Sequence, residues 1–429
     1  MQTHTTEGAA PGQDVPDLRL FVFALFFIFG GITSLNDVLI PKLKSLFTLS
    51  YGDVMLVQFA FFAAYLIISI PAAAIVKRVG YMRAAVIGLL MMMTGCLLFI
   101  PASLSAIFVM FLLALFVLAS GITIIQVVTN PLISILGTPQ TAHSRLTFAQ
   151  AFNSLGTTIF PYVGSILILG SLAKTDPATL SGAALDAFRR AETQMVIRTY
   201  LGLALALALL AGLVWWRRKR LAETISSHAD MGKAFNLLKR ARFAFGAACI
   251  FLYVGAEVSI GSIIVNYLMQ TNTLGLPAEA AGKHVPFYWG GALVGRFIGA
   301  YVLKLVSPGK ILAFNAGMVV LLLLVSANTV GAVSGWSLLA IGLFNSIMFP
   351  TIFALASEGL GPRTADGSGV ICMAIVGGAI VPLITGVAAD ALGLKGALIV
   401  PAICYLGILL FGIYARRSAA ATALAPVTQ

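Results

Sequence analysis

F-V-F-A-L-F-F-I-F-G-G-I-T-S-L-N-D-V-L-I-P-K-L-K-S-L-F, residues 21–47, is long enough to cross a bilayer, yet it carries Thr33, Ser34, Asn36 and Asp37. A spanning helix needs about 20 predominantly apolar residues. A carboxylate deep within one costs about 2.5–3.5 kcal/mol even on lenient insertion scales. Asp37 sits about two thirds of the way along the segment, where its charge needs a reason. For an ionisable group at that depth the default reason is transport.

The rest of the chain agrees with a membrane reading. Of 429 residues, 59% are hydrophobic and 10% charged, with a mean hydropathy of +0.99, beyond the ~45–50% apolar content of soluble domains. The formal net charge of +12 would suggest nucleic acid in a soluble protein. Here the basic residues cluster in short loops between apolar runs, so the charge reports topology and no nucleic-acid partner is expected. Residues 1–18 contain Glu7, Asp14 and Asp17 and lack both a basic start and a small-residue cleavage site, so they read as a cytoplasmic tail without a signal peptide. Cys96, Cys249, Cys372 and Cys404 fall inside apolar runs and read as inert packing residues. No H-E-x-x-H, G-x-S-x-G or paired-histidine arrangement points to an enzyme.

Spans are expected near 20–44, 54–76, 84–101, 105–136, 146–170 and 197–216, then near 243–270, 284–304, 310–329, 334–357, 367–389 and 396–415. The expected fold is an all-α integral membrane protein with twelve transmembrane helices in two six-helix bundles. Its divisions are a tail at 1–18, a bundle at 19–216, a cytoplasmic linker at 217–242, a second bundle at 243–416 and a tail at 417–429. With both termini inside, the larger share of the 27 Lys and Arg lies on the inner side, as the positive-inside rule requires. Internal repetition supports the two halves. Aligning Pro131 with Pro350 sets Gln126 opposite Asn345, and Pro161 and Gly156 align with Pro382 and Gly377. Two such halves imply a cavity between them at the bilayer midplane.

Helical spacing sorts the polar side chains onto faces: Thr33 with Asp37; Gln58, Phe62, Tyr65 and Ser69; Thr123, Gln126 and Asn130; Gln150, Asn153 and Thr157. Amides both donate and accept, which suits the hydroxyls of a neutral sugar, and aromatic faces cover the apolar side of its ring. The bland alternative is that these amides join helices. The second half holds Glu257 and Arg296, which either act on cation and substrate or pair with each other. Trp289, seven residues before Arg296, is a candidate stacking platform. Asn130 is expected to serve the backbone freed by Pro131, and Asn266 can share a site with Glu257 only if the helix breaks at Gly255 or Gly261. Glu358, Arg363 and Asp366 read as a cytoplasmic latch between helices, while His143 and the other histidines lie outside the depth of any span.

The strings S-L-N-D-V-L-I-P (34–41), Q-V-V-T-N-P (126–131), R-L-T-F-A-Q-A-F-N-S-L-G (145–156) and F-P-T-I-F-A-L (349–355) resemble the fucose/glucose/galactose symporter family of the major facilitator superfamily, over nearly the whole chain. The resemblance implies alternating access, and monosaccharide uptake driven by a cation gradient across a bacterial inner membrane. It places coupling at Asp37 and substrate contacts at Gln150 and Asn153. Fucose permeases carry a glutamate where this chain has Gln126. That difference, with Y-V-G-A-E-V-S-I-G-S around Glu257, brings the chain closer to the glucose/galactose branch.

The expected site therefore comprises Asp37 and Glu257 for H+ or Na+ coupling. Asn36, Gln58, Tyr65, Gln126, Gln150, Asn153, Trp289 and Asn345 are set for substrate, with Arg296 in an ion pair or a substrate contact. Thr33, Asn36 and Asp37 form a partial oxygen set for Na+. No cofactor is expected, and a monomer suffices. A proton-coupled efflux carrier and a non-transporting sugar sensor are the alternatives.

Overall fold

The computed structural model describes residues 16–47, 51–105, 107–164, 182–220 and 231–424. Expectations resting on 1–15, 165–181, 221–230 and 425–429 lie outside the described residues, as do the side chains of Asn36, Asp37 and Gln58, although their helices are described. Among the described residues the structure is helical without strands.

The first half comprises α1 (Pro16–Phe47), α2 (Tyr51–Val79), α3 (Tyr81–Ser105), α4 (Phe108–Ile135), α5 (Ala142–Gly164) and α6 (Gly182–Arg217). The second comprises α7 (Ala241–Met269), α8 (Ala278–Gly282), α9 (Val285–Val302), α10 (Pro308–Asn328), α11 (Gly331–Asn345), α12 (Met348–Ser357), α13 (Thr364–Met373), α14 (Gly377–Ala397) and α15 (Ile399–Leu424). Between them a 3-10 turn (Arg218–Arg220) follows α6, and a 3-10 segment (Met231–Lys239) precedes α7.

Ten helical stretches among the described residues are long and apolar enough to cross a membrane. α5 and α9 lie where the fifth and eighth spans are expected but fall short of that apolarity. They pack on each other across the two halves. Helices that face protein on one side and a polar cavity on another have less need of an apolar surface than helices bathed in lipid. The lipid-facing character appears elsewhere, in exposed residues such as Val109, Leu209 and Val387.

α3 packs on α4 and α6, and α1 on α5. Phe99 of α3 stacks on Tyr200 of α6 with ring centroids 4.1 Å apart. α6 begins at Gly182, although its apolar portion is Gln194–Arg217, so the helix is longer than the apolar run that reveals it. α2 stops at Gly80, whose φ of 85° suits glycine and whose N–H closes back on Val76 O at 2.8 Å.

Pro131 and Pro350, one in each half, stand beside backbone carbonyls that other side chains satisfy. Proline has no N–H, so the carbonyl four residues earlier loses its helical partner. α4 continues through Pro131, which frees Val127 O; Pro350 frees Ser346 O beside the interruption between α11 and α12. This breaks the tenth span, expected as one helix at 334–357, near its middle. By contrast α7 is unbroken at Gly255 and Gly261. A Cβ at Gly255 would run into Val381 and Gly377 O, so that glycine serves close helix packing.

Candidate functional site

In the first half, Gln126 is half-buried amid fully buried neighbours on α4. Its Nε2 donates to the Tyr65 hydroxyl at 2.9 Å, joining α4 to α2. Tyr65 is 2% exposed, and Ser69 beneath it donates to Tyr65 O. Gln150 is buried, with Nε2 3.4 Å from Asn130 Oδ1, and Asn153 is half-buried, with Nδ2 3.4 Å from Phe26 O. Thr33 turns its hydroxyl onto Phe29 O. Gln126 and Asn153 therefore keep their amide oxygens without a described partner, as acceptors aimed from different helices.

In the second half, Asn345 repeats the Gln126 arrangement at the matching position: its Nδ2 donates to the Tyr288 hydroxyl at 2.9 Å. Its surroundings differ. Asn345 is fully buried and its Oδ1 accepts from Tyr405 at 2.8 Å, so both ends of the amide are engaged and any ligand contact would run through Tyr288. The Tyr253 hydroxyl lies 2.8 Å from Glu257 Oε1 and 3.0 Å from Asn345 O, shared between the two acceptors. Glu257 is half-buried and its second carboxylate oxygen has no described partner. Trp289 is 40% exposed, edge-on to Tyr288, with its ring above Gly261.

Arg296 is held by carbonyls and a hydroxyl. Its Nε donates to Ser346 O at 3.1 Å, the carbonyl freed by Pro350, and its Nη1 reaches Gln150 O at 3.2 Å and Ser154 Oγ. No ion pair joins it to Glu257 among the described contacts. The broken span thus presents consecutive carbonyls, Asn345 O to Tyr253 and Ser346 O to Arg296, which sets the carboxylate and the guanidinium side by side. The interruption is a two-residue kink, Ser346 and Ile347 both keeping right-handed helical dihedrals, and it turns these carbonyls from the helix ladder to polar side chains.

Toward the linker end the halves are tied together. Ser368 donates to Val127 O at 2.9 Å, so the carbonyl freed by Pro131 is satisfied from the opposite half, and Asn130 takes no part. Ser144 donates to Ala300 O at 2.6 Å. Lys77 pairs with Asp366 at 3.2 Å, and Arg363 also faces Asp366. His143 meets Glu358 at 3.0 Å, and Arg242 holds the same carboxylate. Glu358, Arg363 and Asp366 do form a latch, but half of it is supplied by Lys77 and His143, which sequence reasoning did not select. Asn266 is exposed on the unbroken α7, away from Glu257. Tyr253, Tyr288, Tyr405 and Ser154 were also missed. Tyr253 was the findable one, four residues before Glu257 and hence on its face. The cysteines are buried and free.

The family model "Major Facilitator Superfamily" matches residues 21–375. A glucose/galactose transporter of Brucella abortus is 49% identical over 394 residues, covering 92% of this chain and 93% of that one. An L-fucose-proton symporter of Escherichia coli is 32% identical, covering 92% of each chain. Among solved structures, the Major Facilitator Superfamily transporter FucP in the outward conformation superposes with a TM-score of 0.83 at 30% identity, covering 93% of this chain and 98% of that chain. These relatives and the fold are those of membrane transporters, not enzymes.

Proposed function

The chain belongs to the Major Facilitator Superfamily, and on that premise we propose that it imports a glucose- or galactose-like hexose together with H+ or Na+ by alternating access. The observation that carries this reading is the set of acceptors left open on several helices: the amide oxygens of Gln126 and Asn153 and one carboxylate oxygen of Glu257, flanked by Tyr65 and Trp289. A neutral polyol supplies hydroxyl donors to match them. The name of the 49%-identical relative, a glucose/galactose transporter, supports the same substrate class.

Coupling is assigned to Asp37, with Glu257 as the second ionisable group. Ionised at the midplane, Asp37 opposes burial; a bound proton or Na+ neutralises it and lets the loaded cavity close, while the half-loaded one is penalised. The name L-fucose-proton symporter on a 32%-identical relative favours H+. The two halves rock against each other, and the ties from Lys77 to Asp366 and from His143 to Glu358 break when the linker end opens. That end opens to the cytoplasm in this reading, the protein lying in a bacterial inner membrane and acting as a monomer.

Counterflow in proteoliposomes tests the substrate without any imposed ion gradient. Labelled glucose or galactose should exchange against internal unlabelled sugar, with mannose weaker. If no hexose exchanges, the substrate assignment falls.

A further inference from the structure

An apolar groove of about 440 Å³ lies along the seam between the halves, lined by none of the residues assigned to sugar or cation. Its floor is one stripe of α7: Ala244, Ala247, Ala248, Phe251 and Leu252. Those positions recur at helical spacing, and the alanines leave a trench where larger side chains would fill the surface. The walls are α2 at Leu66, α13, and the 3-10 linker segment at Leu238. Leu66 and Leu238 are 48% and 41% exposed, so the groove opens sideways, toward lipid.

From Ala244 to Leu252 the helix rises about 12 Å, starting near the linker end. One leaflet of hydrocarbon is about 15 Å deep, half of the ~30 Å core. The groove therefore matches a single acyl chain in one leaflet. Two cations lie at the linker end of the groove's walls. Lys239 follows Leu238 directly, and Arg78 lies in the last turn of α2, the helix against which the linker segment packs. Both are exposed and neither has a partner among the described residues, whereas nearby Lys77 holds Asp366, Arg240 holds Gly359 O and Arg242 holds Glu358.

We propose that this groove binds an anionic phospholipid, one acyl chain lying on the alanine trench of α7 and the phosphate resting on Lys239 and Arg78. The walls belong to both halves, so the bound lipid favours conformations that hold α2 at its present spacing from α7 and α13.

Melting of the full-length protein in detergent, with native mass spectrometry, tests this. Dioleoyl phosphatidylglycerol should raise the melting temperature by several degrees more than dioleoyl phosphatidylcholine and survive as a bound adduct. In Lys239→Gln/Arg78→Gln the advantage of phosphatidylglycerol should vanish while the phosphatidylcholine shift persists. Ala248→Trp should lose the adduct, and Ala248→Leu replaces it if the tryptophan variant does not fold. Equal shifts from the two lipids in the unaltered protein, an adduct that survives trench filling, or reproduction of the shift by chain-free glycerol 3-phosphate would each overturn the proposal.

Discussion

Gln126 and Asn345 hold matching positions, and each donates to a tyrosine hydroxyl at 2.9 Å, yet burial gives them different fates. Gln126 is half-buried and keeps an oxygen free, so Gln126→Ala should raise the sugar KM about 3- to 10-fold, the worth of one neutral hydrogen bond of about 0.5–1.5 kcal/mol. Losing the amide also takes the described partner from the buried Tyr65 hydroxyl, so the melting temperature should fall too, by less than in Asn345→Leu. Asn345 is fully buried between Tyr288 and Tyr405. Asn345→Leu strands the Tyr405 hydroxyl and should destabilise the protein by about 1–3 kcal/mol, seen as a lowered melting temperature. A stable Asn345→Leu protein with a raised KM would reverse the two roles. For Asp37, Asp37→Asn should exchange labelled sugar but fail to accumulate it. Full accumulation by that variant would remove Asp37 from coupling.

Among the elements, the prolines link sequence to mechanism. Pro131 and Pro350 each free a carbonyl. Ser368 of the opposite half takes Val127 O, and Arg296 takes Ser346 O while reaching across to Gln150 O. A lysine would have to reach both carbonyls from a single nitrogen, without the span of the guanidinium fork. Arg296→Lys should therefore weaken the closure near the linker end. Labelling of Thr147→Cys, a position fully buried beside Gly299 here, should accelerate at least 5-fold with a thiol reagent applied from the linker side. Unchanged labelling would relegate Arg296 to packing. Apolar run lengths made the spans legible, and polar spacing put Gln126, Gln150 and Asn153 forward as candidates, as its charge did Glu257. The break after Asn345 was not legible, because Pro131 and Pro350 look alike in sequence and only one accompanies a broken helix. Nor was the partner of Val127 O, which lies 241 positions away at Ser368; a pairing that distant is set by how the halves dock. Lys77 and His143 escaped notice for the same reason, since each finds its partner only across the seam.

At the scale of the molecule, the halves are joined near the linker end by two ion-paired clusters and by the hydroxyls of Ser144 and Ser368. Asp366 is buried while Glu358 is half-exposed to solvent, so the Lys77–Asp366 pair is the stronger tie and the pairs to Glu358 the weaker. Lys77→Gln leaves the buried Asp366 to Arg363 alone, so it should shift the balance toward opening at that end by about 3-fold or more, read by the same Thr147→Cys labelling, and lower the melting temperature as well. The proposed function turns on coupling of hexose movement to a cation gradient through Asp37. Its most direct test is accumulation of labelled glucose or galactose in proteoliposomes under an inward H+ gradient and, separately, an inward Na+ gradient. Uphill accumulation is expected under at least one gradient, abolished by the matching ionophore and absent in Asp37→Asn; sugar that only equilibrates, whichever gradient is imposed, would rule out cation coupling.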